Sequence, residues 1–288
     1  MRILERGRGY ISRNKTPLAF IAPSFIGVSV FVIVPFADVL RRSFFTATGG
    51  NFVGISNYIN VFGNDAFKLA AGNTLKFVAV CIPALIVISL MLALLLSGFK
   101  SGGDSFKAVF MLPLVIPAAS MVIIWKLYYH SDGLFNSLAQ SIFGTSVPFM
   151  TSAAAFWVLT VSYIWKNAGY DMVLWIGGLS RIPKDIYEAA AIDGAGSLKR
   201  LFSITLPNLT GVLFMVIVLS LLNSFKVFRE AYLVAGEYPH TSMYMLQHIF
   251  NNWFTALDIE KLSAGAVMMA IVIFLLISAW MKLIGEGE

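Results

Sequence analysis

Six long apolar runs constrain the fold of this 288-residue chain more than any other feature. Each run has about 20 residues or more, the length that a helix needs to cross the hydrocarbon core of a bilayer. Membrane-spanning strands would alternate apolar and polar residues, and the runs show no sustained alternation. The sequence therefore predicts an all-α polytopic membrane protein with six transmembrane helices. The predicted spans are residues 17–39, 75–97, 106–129, 153–179, 209–228 and 262–284.

The composition agrees with a chain that lies in a membrane. Hydrophobic residues make up 58% of the sequence and charged residues only 12%, whereas soluble domains carry about 25% charged residues. A net charge of +6 is also compatible with a nucleic-acid partner. The placement of the cations argues against that partner, because they cluster beside the predicted spans.

The distribution of these basic residues predicts the orientation of the chain. Lysines or arginines occur in the tail of residues 1–16, in the loop after the second span and in the segment 181–207. The loop between the third and fourth spans has none. Cytoplasmic loops are enriched in Lys and Arg. The sequence therefore predicts a cytoplasmic basic tail, a membrane domain over residues 17–288 and both termini in the cytoplasm.

Residues that could perform catalysis are scattered along the chain. Cys81, the only cysteine, lies inside a predicted span, and His130, His240 and His248 lack the spacing of metal ligands. The chain has no Gly-x-x-x-x-Gly-Lys-Ser/Thr loop for binding nucleotide phosphates. We therefore expect no catalytic residue, no metal site and no cofactor in this chain. A membrane-embedded enzyme is the remote alternative.

The fourth predicted span carries Lys166, Asn167 and Asp171 near its middle. A charge at that depth costs roughly 2.5–3.5 kcal/mol on insertion scales, so these side chains are expected to face protein or water. Lys166 and Asp171 are separated by about 140° around a helix and do not pair easily with each other. We therefore expect partners on other helices. The residues either fix helix packing or contact a substrate.

Two further features predict local structure. Pro113 and Pro117 indicate a kink in the third span, which either reflects packing irregularity or helps to line a pathway. Between the fifth and sixth spans, apolar residues recur at helical spacing and predict an amphipathic helix. This helix is expected to lie along the outer interface or to cap the bundle, and a docking surface for an external partner is the alternative. Its apolar residues are Met243, Leu246, Phe250, Trp253 and Phe254.

The segment 181–207 is polar and lies between two apolar spans. Pro183 suits the first turn of a helix that runs to Asp193. Gly194 and Gly196 then allow a sharp turn. The first half of the segment is therefore expected to be a helix followed by a glycine turn.

The second half of the segment is expected to form another short helix. Ser197 is suited to cap a helix over residues 198–206, and Pro207 is expected to end it before the fifth span. The complete segment is thus predicted to be a helix-turn-helix on the cytoplasmic side of the membrane.

This segment resembles the EAA loop of ABC importer permeases. The pattern Glu-Ala-Ala-x-x-Asp-Gly-Ala starts at Glu188, and Pro207 follows twelve residues after its last alanine. Other parts of the chain resemble the carbohydrate-type binding-protein-dependent permeases, the group that includes the larger maltose permease subunit. The matching residues are Pro113, Pro117, Trp125, Gly133, Leu134, Phe135, Asn136, Leu138, Trp165, Lys166, Gly169 and the stretch 178–183.

The resemblance covers about residues 69–282 and implies the type I ABC importer permease fold, with residues 181–207 as the EAA loop. It implies an importer of a sugar or oligosaccharide in a bacterial or archaeal plasma membrane. Many relatives carry Gly-Gly-Pro in the fifth outer segment, where this chain has Ala-Gly-Glu-Tyr-Pro over residues 235–239. A polyol, glycerol phosphate or peptide cargo, and a stand-alone channel or secondary transporter, remain alternatives.

The resemblance also implies a set of partners. These are a second homologous permease, two ATPase subunits that hold ATP and Mg, and an extracytoplasmic solute-binding protein. No nucleic acid is expected, and the membrane lipid surrounds the spans. The residues assigned by resemblance to coupling with the ATPase are Glu188, Ala189, Ala190, Asp193, Gly194, Ala195 and Pro207.

The fourth and fifth spans contain the candidate residues for a substrate pathway. Aromatic faces and side-chain amides are groups that suit sugars, although aromatic residues are also common in membrane packing. The candidates are Tyr163, Trp165, Asn167, Tyr170, Asn223 and Phe225.

Overall fold

The computed structural model describes residues 15–46, 50–98 and 103–285, and the elements of regular structure within these ranges are helices. The described residues divide into two units. The first contains the residues up to Gly63 together with Trp253–Ile271, and the second contains Asn64–Asn252 together with the residues from Val272.

The first unit begins with a long apolar helical run. Helix α1 (Lys15–Val28) continues through a π-helical turn (Ser29–Ile33) into α2 (Val34–Arg42). The second residue of α2 is a proline, Pro35. A proline ring clashes with the carbonyl one turn earlier in an α-helix, and the wider π turn directly before α2 accommodates it. Helix α3 (Ser56–Gly63) completes this part of the unit.

The second unit contains most of the helices and the main apolar core. They run in chain order from a long first helix to a short one after the fifth predicted span. Their bounds are α4 (Asp65–Ser97), α5 (Gly103–Val115), α6 (Ala118–Tyr129), α7 (Leu134–Phe143), α8 (Ala154–Leu179), α9 (Lys184–Ile192), α10 (Ser197–Arg200), α11 (Leu206–Asn208), α12 (Thr210–Ser224) and α13 (Phe228–Ala235). Two further helices, α14 (Leu246–Thr255) and α15 (Ile259–Gly285), have residues in both units.

Helix α8 lies at the centre of the second unit and packs on α4 and α5. The ring of Phe77 on α4 meets the ring of Tyr163 edge to face, with centroids 5.5 Å apart. Further along, Trp175 Nε1 donates to Ser89 Oγ at 3.0 Å. Gly169 allows α5 to approach so closely that a Cβ atom there would lie 1.9 Å from the Phe110 carbonyl oxygen.

Four helical segments within the described residues are long and apolar enough to cross a membrane. They are Ala19–Arg42, Asp65–Ser97, Thr210–Ala235 and Ile259–Lys282. The pair Ser105–Val115 and Ala118–Phe143 is bent by 95° and forms either a broken span or a re-entrant loop. The bend confirms the predicted kink, because Pro117 stands at the start of α6 and cannot continue α5.

Helix α8 has the length of a span but falls short in apolarity, because Lys166, Asn167 and Asp171 lie within it. It is also richly buried, with fourteen buried residues along its length. Its polar groups therefore face protein. The predicted total of six spans stays a prediction.

The predicted amphipathic helix corresponds to α14, which starts three residues later than its first expected apolar residue. Met243 belongs instead to a preceding 3₁₀ turn, Thr241–Met243. His248 on α14 is fully buried and its Nδ1 accepts a hydrogen bond from the Met245 backbone N–H at 3.1 Å. Burial lowers the pKa of His248 to about 4.

Candidate functional site

The segment after α8 folds into a hairpin whose first arm is α9. Asp193 ends this helix, and Gly194 follows with a φ of +77°. The Gly194 N–H donates to Ala191 O at 3.1 Å, and the Ala195 N–H donates to Ala190 O at 2.8 Å. This pair of bonds defines a Schellman motif, in which the residue after the C-cap adopts a left-handed conformation that favours glycine. The expected glycine turn is therefore present at Gly194.

Gly196 does not need to be glycine for the turn. Its φ is −64° and ψ is 168°, which any residue adopts, and no atom would contact a Cβ placed there. Gly196, which has no side chain to form a capping bond, is the N-cap of α10, and Ser197 is the first residue of the helix. The expectation that Ser197 caps the second helix was wrong, because the chain enters the helix one residue earlier.

The second arm of the hairpin is not ended by Pro207. It runs from α10 through a π-helical turn, Leu201–Thr205, into α11, where Pro207 occupies the first turn. Only Leu209 departs from helical geometry before α12 begins. The π turn widens the helix just before the proline, so the carbonyl that its ring would meet is displaced. The predicted end of the helix at residue 206 was therefore wrong.

The two arms are joined by a polar contact and by buried apolar residues. Tyr187 Oη on α9 lies 2.9 Å from Thr205 Oγ1 in the π turn. Ile182 and Leu209, which flank the hairpin in the chain, are both buried in one apolar cluster. The hairpin is thus held against the ends of α8 and α12.

The outer surface of the hairpin carries most of the residues assigned to coupling. Glu188, Ala189, Asp193, Gly194 and Pro207 are exposed, and Ala190 and Ala195 are partly exposed.

Sequence reasoning missed three apolar side chains on the same hairpin. Ile192 is 87% exposed, Leu198 is 70% exposed and Phe202 is 66% exposed. Exposed large apolar side chains on a polar segment are suited to an interaction surface. Their signal in the sequence was their presence inside a polar segment.

Helix α12 continues through a 3₁₀ turn, Phe225–Val227, into α13, and we call this stretch the α12–α13 run. A cavity of about 150 Å³ lies in the second unit between α5, α6, α8 and the end of this run. We call it the central cavity. A cavity of about this volume in another protein binds benzene, so a six-membered ring fits. The lining of the central cavity combines aromatic, amide-bearing, charged and apolar side chains. They include Trp125, Tyr163, Lys166, Asn167, Asn223, Lys226, Arg229 and Glu230.

The central cavity contains an ion pair between two helices. Lys166 Nζ on α8 lies 2.5 Å from Glu230 Oε1 on α13, and the two side chains are 19% and 9% exposed. Asp171 finds its partner on α12, where Ser220 Oγ donates to Asp171 Oδ2 at 2.9 Å. The expectation that Lys166 and Asp171 have partners on other helices is confirmed.

Two buried polar atoms at the central cavity have no hydrogen-bond partner within the described part of the chain. They are Trp125 Nε1, a donor, and Glu230 Oε2, an acceptor. Trp125 is 1% exposed and Glu230 is 7% exposed. Buried polar groups in folded proteins are normally satisfied, so each exception needs an explanation. A hydroxyl group, which both donates and accepts, suits both atoms.

The structure brings three of the six pathway candidates together at the central cavity. Tyr163, Asn167 and Asn223 line it. Trp165, Tyr170 and Phe225 are not among its lining residues, and Trp165 is 44% exposed.

Sequence reasoning did not select Lys226, Arg229 and Glu230, which do line the central cavity. The signal that could have found them is their occurrence as a charged group in an otherwise apolar run. Among the residues that the structure describes, no group of three or more His, Cys, Asp or Glu side chains could hold a metal ion.

The comparison with known families agrees with this arrangement. Residues 72–286 match the family described as binding-protein-dependent transport system inner membrane component. This match covers well over half of the chain, so the chain belongs to that family. The protein is therefore a multi-pass membrane permease, a transport subunit and not an enzyme.

Individual relatives are similar along nearly the whole chain. The trehalose/maltose transport system permease protein MalF of Thermococcus litoralis is 30% identical over 268 residues, which cover 91% of each chain. A bacterial ABC transporter involved in the import of the acidic polysaccharide alginate matches in structure with a TM-score of 0.83. That match has 20% sequence identity and covers 98% of this chain and 99% of the other.

A second crystal structure matches with a TM-score of 0.80, 19% identity and coverage of 94% of each chain. It shows a bacterial alginate ABC transporter in complex with an alginate pentasaccharide-bound periplasmic protein. The two structural matches establish that the helices of this chain adopt an ABC importer permease fold.

Proposed function

We propose that this chain is the permease subunit of an ATP-driven importer and forms half of the pathway for a sugar or oligosaccharide. The observation that carries the proposal is that one unit holds both an exposed hairpin and a cavity with unsatisfied buried polar groups. A nearly continuous helical run connects the two. The trehalose/maltose and alginate transporters among its relatives support a carbohydrate cargo.

The importer has four kinds of subunit in this proposal. A second, homologous permease completes the pathway, two ATPase subunits bind ATP and Mg, and an extracytoplasmic binding protein delivers the cargo. The relative that is seen in complex with a sugar-loaded periplasmic protein supports the last of these partners.

In this proposal the chain crosses the plasma membrane of a bacterium or archaeon six times, and both of its termini lie in the cytoplasm. Helix α8 is the fourth span, and its burial among neighbouring helices allows it to carry Lys166 and Asp171 through the membrane. The basic residues of the hairpin, such as Lys199, support its cytoplasmic placement. The family core extends over about residues 69–282, with the coupling loop at residues 181–207.

Coupling uses the hairpin as the contact with the ATPase. Glu188, Asp193 and Gly194 lie at the contact, and the exposed Ile192 and Leu198 supply apolar area to it. Closure of the ATPase on nucleotide moves the hairpin and favours an outward-open arrangement of the spans. A ligand shifts an equilibrium only by its differential affinity for the two states. The loaded binding protein therefore binds the outward-open state more tightly and favours it from the other side of the membrane.

The cargo passes the central cavity between α8 and the α12–α13 run. Trp125 and Tyr163 offer aromatic faces, and Asn167 and Asn223 offer amides. The unsatisfied Trp125 Nε1 donates a hydrogen bond to a sugar hydroxyl, and the unsatisfied Glu230 Oε2 accepts one from a sugar hydroxyl. A transport site of this kind needs several weak polar contacts because the cargo must also leave.

The test is isolation of the chain from its native membrane in mild detergent, followed by reconstitution into liposomes with its copurified partners. We expect an ATPase to copurify and its hydrolysis of ATP to rise when the binding protein carries a sugar. The cognate binding protein is titrated with a panel of sugars to identify the cargo. Copurification without any ATPase, or a peptide as the sole stimulating cargo, would contradict the proposal.

A further inference from the structure

The charges at the central cavity are unbalanced. Three cations, Lys166, Lys226 and Arg229, line it together with a single anion, Glu230. Glu230 is committed to Lys166 through their 2.5 Å contact. The other two cations therefore leave the cavity with an excess of positive charge.

Neither of these two cations is neutralised by the part of the chain that the structure describes. Lys226 Nζ donates to Asn223 Oδ1 at 2.8 Å, and an amide oxygen carries no net charge. Glu230, the one carboxylate among the described residues that line the cavity, pairs with Lys166 and not with Arg229. Both side chains are exposed, and both line the cavity. Their guanidinium and ammonium groups are thus available to a bound molecule.

An excess of positive charge is costly at this position in the chain unless the cations face a partner or water. Lys226 and Arg229 lie within Thr210–Ala235, a segment apolar enough to cross a membrane. Cations inside such segments are expensive and normally face a partner or a water-filled cavity. An arginine is also suited to bidentate binding of carboxylate, sulfate or phosphate groups.

We propose that the central cavity is selective for a sugar that carries an acidic substituent, with Arg229 and Lys226 as the groups that bind it. This inference rests on the proposed function of the chain as a sugar permease. Glu230 Oε2 and Trp125 Nε1 bind hydroxyl groups of the same molecule, and the Lys166–Glu230 pair holds Glu230 in place. A carboxylate and a phosphate satisfy the same cations, and the experiment distinguishes them.

The test uses the whole importer in proteoliposomes with its binding protein. Three probes are compared: maltotriose as a neutral sugar, trigalacturonate as a carboxylate-bearing sugar and maltose 6-phosphate as a phosphate-bearing sugar. Arg229→Gln and Lys226→Gln are measured beside Lys126→Gln, a control that removes an exposed cation outside the lining of the cavity. Size-exclusion chromatography verifies that each variant importer is assembled.

We expect one of the acidic probes to be imported and the neutral probe to be excluded. At low probe concentration, Arg229→Gln and Lys226→Gln each lower uptake by about 10- to 100-fold, the effect of losing a hydrogen bond to a charged group. Lys126→Gln changes uptake less than twofold. The better of the two acidic probes identifies the substituent as a carboxylate or a phosphate.

Two outcomes would overturn the inference while the sugar permease stands. One is import of maltotriose without import of either acidic probe. The other is import of an acidic probe that both variants leave unchanged, which would mean that the two cations only extend toward the membrane surface. Absence of sugar-dependent ATP hydrolysis with every sugar of the wider panel would instead contradict the proposed function itself.

Discussion

Gly169 sets the distance between two packed helices. A Cβ atom at this position would meet the Phe110 carbonyl oxygen at 1.9 Å and the Phe110 carbonyl carbon at 2.4 Å. These are backbone atoms, so no side-chain rotation relieves the overlap. The approach of α5 to α8 therefore depends on the absence of a side chain at residue 169.

We predict that Gly169→Ala lowers the melting temperature of the purified protein in detergent. Overpacking of this kind costs about 1–3 kcal/mol. The matched control is Gly177→Ala on the same helix, where a Cβ would touch nothing. Alanine favours helix over glycine by about 0.5–1 kcal/mol, so the control keeps or raises the melting temperature. Equal melting temperatures for the two variants would contradict the packing argument.

The Lys166–Glu230 pair gives a second prediction for single residues. Glu230→Gln leaves a cation without its partner in a site where Lys166 is only 19% exposed. Removing one member of a buried pair costs up to about 3–5 kcal/mol. The double variant Lys166→Met with Glu230→Met removes both charges. It should melt at a higher temperature than Lys166→Met alone or Glu230→Met alone. Additive losses in a thermal double-mutant cycle would show that the two charges do not interact.

Sequence reasoning identified some of these residues and not others for physical reasons. The cost of a charge in a membrane predicted that Lys166 needs a partner, but Glu230 is 64 residues away and only the packing of α8 and α13 selects it. Trp165, Tyr170 and Phe225 were chosen by residue type alone. Residue type does not determine which side of a helix faces the central cavity.

At the scale of elements, the hairpin depends on its left-handed turn. Gly194 has a φ of +77°, whereas Gly196 has a φ of −64°. We predict that Gly194→Val lowers uptake in reconstituted importer at least about tenfold, because a left-handed residue with a side chain costs about 1–2 kcal/mol and displaces the contact surface. Gly196→Val tests the same change in size without the strain and should keep most of the uptake.

Uptake and stimulated ATP hydrolysis that both persist in Gly194→Val would rule out the hairpin as the coupling element. Gly194→Asn provides an intermediate case, since asparagine tolerates the left-handed conformation.

Helix α14 contributes a pH-dependent term to stability through His248. Burial lowers the pKa of His248 to about 4, below its unfolded value of about 6.5. Between these values the unfolded chain binds a proton that the folded chain does not, so stability falls as the pH drops from about 6.5 to about 4. The full loss is on the order of 3 kcal/mol, because each unit of pKa difference corresponds to about 1.4 kcal/mol.

This loss is measured from melting temperatures of the purified protein between pH 4 and pH 7.5. His248→Gln cannot titrate, so its melting temperature should vary less over the same range. A pH dependence identical to that of the unsubstituted chain would show that other groups are responsible.

The elements themselves were predicted unequally well. The long apolar run of residues 75–97 was sufficient to predict a helix there, because span length follows from bilayer thickness. The observed helix, Asp65–Ser97, begins ten residues earlier than the predicted span. The turn at Gly194 was predictable, since glycine enters the left-handed region freely. The π turn Leu201–Thr205 was not, because it depends on how the helix adjusts to Pro207 within its packing.

The whole molecule offers a direct test of topology. Its only cysteine, Cys81, is fully buried, and a buried thiol reacts slowly. A single cysteine introduced by Lys199→Cys in the hairpin therefore reports on which side of the membrane the hairpin lies. Ser146→Cys does the same for the loop after the third predicted span.

We predict that a membrane-impermeant maleimide labels Ser146→Cys in intact cells and Lys199→Cys only in inside-out vesicles. The unsubstituted chain should remain unlabelled in both preparations. Labelling of Lys199→Cys in intact cells would reverse the proposed orientation and remove the hairpin from the reach of any cytoplasmic ATPase.

If the hairpin couples this chain to an ATPase as proposed, the helical run from Ser197 to Ala235 transmits the movement of the hairpin to the central cavity. The run advances roughly 1.5 Å per residue, so a push delivered at its start arrives tens of ångströms away, and only Leu209 interrupts its helical geometry. Its non-α turns, at Leu201–Thr205 and Phe225–Val227, stand next to its two working ends. Small changes of register at those points would convert a movement along the helix axis into a rotation of Arg229 relative to α8. Release of cargo would then occur once in each cycle of the ATPase.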